Sequence, residues 1–258
     1  MIDLIVLGSG GFALDMTPGR PVRHPPGYAV RLGDRVIVLD LGFGNLRQMA
    51  RAGLDPARVT DIFLTHLHPD HAGDLAAILF FFRYERPPRA GYLRLFGPPG
   101  FKAFLRRLDG AYRPWLKPSG YRLASFDLAH GGEVQGAGWA AQACRVPHPA
   151  PSLAYRLSAA GRSLVYTGDT GWSAGLARFA RGCDLLVLEC SMPDRRPRPG
   201  VHLTVSEALD LVRLSGCRKA VFSHLTEEAA AGLRERLRGR RGRPATRLLA
   251  RDLMRIRV

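Results

Sequence analysis

Residues 65–71 read Thr-His-Leu-His-Pro-Asp-His, and His66-x-His68-x-Asp70-His71 puts four metal-ligating side chains into six residues. Imidazole and carboxylate together suit zinc, iron or manganese. One or two histidines here would read as an ordinary polar loop. Three with an aspartate at this spacing point to a bound cation, provided the rest of the chain supplies partners. The chain has eight histidines: His24, His66, His68, His71, His130, His148, His202 and His224. His148 lies in Val146-Pro-His-Pro149, just before a strand-like run. Asp169 ends Val165-Tyr-Thr-Gly-Asp169, and His224 ends Val221-Phe-Ser-His224. His202 opens Val201-His-Leu-Thr204, ahead of a helix. Singly, each reads as a loop or core residue. Their shared place at strand or helix ends predicts that they meet.

The elements that must carry them follow from patterning. Asp61-Ile-Phe-Leu-Thr65 is a buried strand that delivers the cluster. Residues 28–40 and 153–169 both alternate apolar and polar residues about a glycine turn, and both end in an aspartate, so they read as two hairpins. A duplicated ββ…βα plan implies an α/β fold built as a four-layer αββα sandwich, with the metal cluster at one sheet edge. Helices are expected over Phe43 to Ala52, Gly73 to Tyr84 (stopped by Pro87-Pro88), Pro99 to Leu108 and Glu227 to Leu237. Thr204-Val-Ser-Glu207 is a capping box opening a helix that ends at Gly216. Ala250 to Val258 reads as a last strand. No linker separates domains, so residues 1–258 are expected to form one.

Composition narrows the classes. A chain of 258 residues can bury a full core. No apolar run reaches the length that spans a bilayer, and Ala76 to Phe82 fits a buried helix. Met1-Ile-Asp-Leu-Ile-Val-Leu-Gly8 lacks a basic leader region and reads as a first strand. Cys144, Cys183, Cys190 and Cys217 have no metal-type spacing and are expected to be reduced thiols of a cytoplasmic protein. The net charge of +16 fits an anionic substrate or nucleic acid, and equally a solvated basic surface. The densest basic run, Arg234 to Arg243, has no aromatic residue to stack a base. Gly8-Ser-Gly10-Gly-Phe-Ala13 imitates a dinucleotide loop, but the prolines at 18, 21, 25 and 26 forbid the helix that such a loop needs. The glycines are expected instead to turn near the metal cleft.

With these motifs in order, the sequence resembles the metallo-β-lactamase fold hydrolases. Asp40 in Val38-Leu-Asp-Leu-Gly-Phe-Gly44 looks like the first motif, His66 to His71 the second, His148 the third, Asp169 the fourth and His224 the fifth. His202-Leu-Thr204 and Leu95-Phe-Gly-Pro98 resemble the ribonuclease Z and phosphodiesterase branch. The resemblance implies the same αββα fold and two divalent ions, zinc first, with manganese or iron as alternatives. His66, His68 and His148 would hold one ion, Asp70, His71 and His224 the other, and Asp169 would bridge. Ions roughly 3.5–4 Å apart can share a hydroxide whose pKa falls to about 7. Asp40 is assigned to orienting a ligand, and Asp70 and His202 are the expected catalytic groups. In the branch resembled, the equivalent of His202 reaches the scissile phosphate, where it can donate a hydrogen bond or a proton.

Spacing then favours a substrate. Enzymes that mature tRNA 3′ ends carry a long arm after the third motif. Here His148 and Asp169 are 21 residues apart, and a plain hairpin fills the interval. The expected function is therefore hydrolysis of small or cyclic phosphodiesters. A ribonuclease Z-like RNA endonuclease is the alternative, followed by a lactone or thioester hydrolase. A regulatory or scaffold protein would show eroded ligands, and none is eroded here. The expected partners are a small anionic diester, with RNA as the second choice, no membrane, and a second copy in a homodimer of the kind relatives often form.

Overall fold

The computed structural model describes residues 1–11, 17–20, 22–85, 90–149, 151–238 and 246–258. Phe12 and Ala13 of the glycine turn, Pro21, the Pro87-Pro88 stop and residues 239–243 of the basic run lie outside the described residues. The first half contributes β1 (Asp3–Gly8), β2 (Gly27–Leu32), β3 (Arg35–Leu41), β4 (Val59–Phe63), β5 (Tyr92–Gly97) and β6 (Arg122–Asp127). The second contributes β7 (Glu133–Gly136), β8 (Trp139–Arg145), β9 (Leu153–Ala159), β10 (Arg162–Tyr166), β11 (Leu185–Glu189), β12 (Lys219–Ser223), β13 (Thr246–Leu249) and β14 (Arg255–Arg257).

These strands form two seven-stranded sheets, in the orders β14-β1-β2-β3-β4-β5-β6 and β13-β12-β11-β10-β9-β8-β7. The sheets match strand for strand. In the first, β14, β1, β2 and β3 pair antiparallel and β3 to β6 run parallel. In the second, β7 to β10 pair antiparallel and β10 to β13 run parallel. Parallel strands put their carboxyl ends at one edge, the usual place for a ligand in α/β sheets. Counted from the shared hairpin turn, however, the two aspartates are not equivalent. Arg35 and Arg162 each open the second strand of their hairpin, and Asp169 then falls two residues further along than Asp40.

The faces between the sheets bury Tyr28, Phe63, Phe96, Trp139 and Tyr155. Phe63 stacks on Phe96 at 4.5 Å and meets the edges of Tyr155 at 5.2 Å and Trp139 at 5.9 Å. The outer face of the first sheet is covered by α1 (Asn45–Arg51), α3 (Leu75–Tyr84) and α4 (Phe101–Ala111), through Met49, Ile78, Phe82 and Phe101. The single-turn helix α2 (Pro69–Ala72) lies within the histidine motif. Helices α5 (Ala174–Phe179), α6 (Val205–Ser215) and α7 (Glu227–Leu237) cover the second sheet through Leu176, Leu211 and Leu233. The expected αββα sandwich is therefore the observed one.

Helices α1, α3 and α4 start two residues later than expected, at Asn45, Leu75 and Phe101, and two further boundaries differ from the sequence reading. Helix α4 runs through Gly110 to Ala111 instead of stopping before it. A helical glycine costs about 1 kcal/mol, and the packing of Phe104, Leu105 and Leu108 onto the sheet offsets it. The last strand is not continuous from Ala250. Thr246–Leu249 pairs with β12 in one sheet, the chain turns at Leu253 (φ 64°), and only Arg255–Arg257 pairs with β1 in the other. Asp252 fixes that turn by accepting hydrogen bonds from the backbone and hydroxyl of Ser9.

Candidate metal centre

The carboxyl ends of β3, β4, β10, β11 and β12 meet at one edge and bring the predicted side chains together. His66, His68, His148 and Asp169 present ligand atoms all within 4.8 Å of one another, as do Asp70, His71 and His224. Asp169 faces both groups. Its Oδ2 is 3.9 Å from His66 Nε2, and its Oδ1 is 3.2 Å from His71 Nε2 and 3.3 Å from His224 Nε2. Asp70 Oδ2 is 3.7 Å from His71 Nε2 and 3.6 Å from His224 Nε2. His68 turns Nδ1 toward the cluster, 3.0 Å from His66 Nε2 and 3.4 Å from His148 Nε2.

Hydrogen bonds on the far side of the rings decide which nitrogen faces inward. The buried Asp40 carboxylate accepts from the Thr65 amide, the Thr65 hydroxyl, the Tyr166 hydroxyl and His71 Nδ1, all at 2.7–2.8 Å. Because the Thr65 hydroxyl spends its proton on Asp40, it can only accept from His66 Nδ1, 3.0 Å away. Glu189, also buried, plays the same part in the second sheet. It accepts from His202 Nδ1 at 2.8 Å and from the Ser191 hydroxyl at 2.8 Å. That hydroxyl in turn accepts from His224 Nδ1 at 2.6 Å. His148 Nδ1 donates to the Val201 carbonyl at 3.0 Å. One acid per sheet thus holds two histidines, one directly and one through a hydroxyl. His66, His71, His148 and His224 are left with Nε2 aimed at the cluster, the arrangement that metal-ligating imidazoles share.

The local backbone is built for this. Asp40 (φ 54°) and His224 (φ 52°) adopt the left-handed conformation, a cost borne at functional sites. Gly168 before Asp169 has φ 57°, and a Cβ there would lie 2.6 Å from Thr65 Cβ. The Gly8–Gly11 turn does lie against the site: Gly10 bridges to Leu225, and a Cβ on Gly11 would sit 3.1 Å from the His224 ring.

Electrostatics fit a cation. Burial drives the His66 pKa far down and that of His148 down as well, leaving neutral rings with free lone pairs. Burial also opposes charge on His71, but Asp169 and Asp40 outweigh it and raise its pKa well above the ordinary value. For Asp169, burial is outweighed by His224 and His71, which hold its carboxyl well below the usual range. The Asp70 pKa is lowered against burial by the nearby His224 ring, 3.6 Å away, and by the charge of His71. His71 Nε2, His224 Nε2 and Asp169 Oδ1 are all buried without a hydrogen-bond partner among the described residues. Orphaned buried polar atoms cost about 1–3 kcal/mol each. Three that converge on one point fit a divalent ion, whose binding would displace the His71 proton.

Sequence reasoning missed Glu189 and Ser191. Glu189 was nonetheless signalled, since Leu185-Leu-Val-Leu-Glu189 ends an apolar run in an acid, as the Asp40 and Asp169 segments do. The observed role of Asp40 leads to a test. Asp40→Asn should weaken metal binding about 10–100-fold, the usual worth of a group that orients a ligand. Asparagine tolerates a positive φ, so the fold should persist. Chelator competition would measure the change, and unchanged affinity would reduce Asp40 to a packing role.

Comparison with known proteins agrees with this geometry. Residues 21–224 match the family described as the Metallo-beta-lactamase superfamily. The chain is 29% identical over 273 residues to a protein named Ribonuclease Z from Pyrococcus furiosus, covering 87% of this chain and 86% of that one. In structure it is similar to human tRNase Z, short form, with a TM-score of 0.72 and 21% identity over 99% of this chain and 98% of that one. It is also similar to a diphosphatase from the PhnP family, with a TM-score of 0.75 and 20% identity over 100% and 98% of the two chains. Among the described residues no helix is long and apolar enough to cross a membrane.

Proposed function

The chain belongs to the metallo-beta-lactamase superfamily of hydrolases, and from that premise we propose that it is a phosphodiesterase of small or cyclic substrates, working with two divalent ions. His66, His68 and His148 would hold one ion, Asp70, His71 and His224 the other, and Asp169 would bridge them. Bound there, the ions supply Lewis-acid chemistry, lowering the pKa of water and neutralising charge on phosphoryl oxygens. Asp70, kept ionised by its histidine neighbours, accepts the proton of the attacking water. Water oxygen bonds to phosphorus, the bond to the departing alcohol breaks, and a phosphomonoester remains. His202 approaches within 3.9 Å of Asp169, and its Nδ1 is bonded to Glu189. Burial works against its protonation, but Glu189 overcomes this and raises its pKa. A protonated His202 can donate to a non-bridging oxygen or protonate the leaving oxygen.

The observation that carries the choice of substrate is the hairpin β9–β10. It occupies the interval between His148 and Asp169 with two short strands and a turn at Ala160-Gly161, so among the described residues no arm projects there to grip a folded RNA. The alignment with the Pyrococcus furiosus relative is in keeping with this. It spans 273 residues while using 87% of a 258-residue chain, so that relative has residues with no counterpart here. The second reading, an RNA endonuclease, is favoured by the name of the same relative and by the net charge of +16. The test is a side-by-side assay of purified protein loaded with zinc, manganese or iron. Cyclic nucleotides and bis(p-nitrophenyl) phosphate should be cleaved, with precursor tRNA and lactones poor substrates. Efficient tRNA 3′ maturation at physiological salt would replace this reading with the second.

A further inference from the structure

We propose that the cleft beside His148 receives one arm of the diester, and that it selects an arm bearing a second phosphate, which Arg145 recognises. The inference rests on the diesterase reading above. The cleft has a volume of about 520 Å³, and its walls include Pro99, His130, Arg145, His148, Pro151 and Leu153. A cavity of that size suits a nucleoside-sized fragment rather than a methyl group. Pro99 follows β5, His130 follows β6, and Arg145 ends β8. The cleft therefore opens on the same edge as the metal cluster and shares His148 with it as a wall. A diester whose phosphorus sits at the cluster has one arm directed along this edge.

Arg145 is placed for recognition by strand alternation. Trp139, Ala141 and Ala143 face the core between the sheets, so Arg145, two residues beyond Ala143, takes that same face where the sheets part. Its backbone N–H donates to His130 Nδ1 at 3.3 Å. The proton of a neutral His130 ring then sits on Nε2, a further donor. Among the described residues the Arg145 guanidinium has no hydrogen-bonding or ionic partner. Other arginines on the sheets are engaged: Arg94 with Asp61, Arg156 with the carbonyls of Phe179 and Arg181, and Arg162 with Asp184. A free guanidinium on a concave wall matches the planar fork that binds phosphate through two parallel hydrogen bonds. The prolines and Leu153 supply apolar faces for the sugar or base between the two phosphates. The substrate class that follows is a nucleotide-like diester carrying a terminal phosphomonoester.

The test compares two chromogenic esters with the same scissile bond: the p-nitrophenyl ester of thymidine 5′-phosphate, with and without a 3′-phosphate. Wild type should show a KM about tenfold or more lower for the 3′-phosphorylated ester, the worth of hydrogen bonds to a charged group. Arg145→Ala should abolish that preference with kcat unchanged, and Arg145→Lys should keep part of it. Arg213→Ala, on α6 beside Asp210, controls for general charge and should keep all of it. Calorimetric titration of metal-free protein with thymidine 3′,5′-bisphosphate and with the 5′-monophosphate gives a readout independent of turnover. The same preference should appear there and vanish in Arg145→Ala. Equal binding of the two ligands by wild type, or an equal loss in Arg213→Ala, would overturn the inference. No hydrolysis of either ester, with the binding preference intact, would remove the diesterase reading and leave the subsite standing.

Discussion

Asp169→Ala should strip the protein of bound metal and of activity together. Wild type purified without chelator should carry about two ions per chain, as two-metal hydrolases do. Among the described residues Asp169 is the one carboxylate that turns an oxygen toward each ligand group, at 3.9 Å from His66 and at 3.2 Å and 3.3 Å from His71 and His224. Its removal also takes away the nearer of the two carboxylates beside the buried His71 and His224 Nε2 atoms, leaving Asp70 at 3.7 Å and 3.6 Å. Loss of several kcal/mol of transition-state stabilisation corresponds to a fall in turnover on the order of 10³-fold or more. Elemental analysis and a diester assay on the same preparation measure both effects. A fully active Asp169→Ala protein would end the two-ion proposal.

His202→Ala should separate chemistry from metal binding. His202 also falls within a grouping of possible ligand atoms with Asp169 and His224, so geometry alone permits a ligand role. Its Nδ1 is committed to Glu189, and it is placed between the His148 ring at 5.5 Å and the His224 ring at 5.6 Å. Assigned to the transition state, it should leave metal content and fold intact when removed, while kcat falls on the order of 10²–10⁴-fold. Glu189→Gln should lower kcat and weaken metal binding as well, because both carboxylate oxygens accept hydrogen bonds and one amide oxygen cannot serve His202 and Ser191 together. Loss of metal in His202→Ala would make the residue a ligand, and unchanged turnover would make it a neighbour of the helix cap.

Residue type and position at strand ends were sufficient to locate this edge. His66, Asp169 and His224 follow apolar runs, and a parallel strand ending in a polar ligand has little other use for it. The hairpins, the capping box at Thr204 and the layer order were legible for the same reason, because each rests on local periodicity. What sequence could not supply was the pairing of distant polar groups. Nothing near Ser191 marks it as the link between His224 and Glu189, since the three meet only when β11 and β12 lie side by side. The left-handed backbone of His224 is likewise set by tertiary contacts. Arg145 is one of many arginines in the chain, and only the placement of β8 against the ends of β5 and β6 sets it apart. The expected last strand failed because its residues serve both sheets, and local pattern carries no record of which sheet a segment joins.

The bond between Ser9 and Asp252 joins residues 243 positions apart, and it sets an order on biosynthesis. Closing so long a loop is slow, and contacts of this separation form late. The segment from Ser9 to Gly11 that steadies the His224 ring cannot settle until Asp252 has left the ribosome and β14 has docked on β1. The part of the edge that carries His224 is therefore completed late, after the group of His66, His68, His148 and Asp169, which the Ser9–Gly11 segment does not touch.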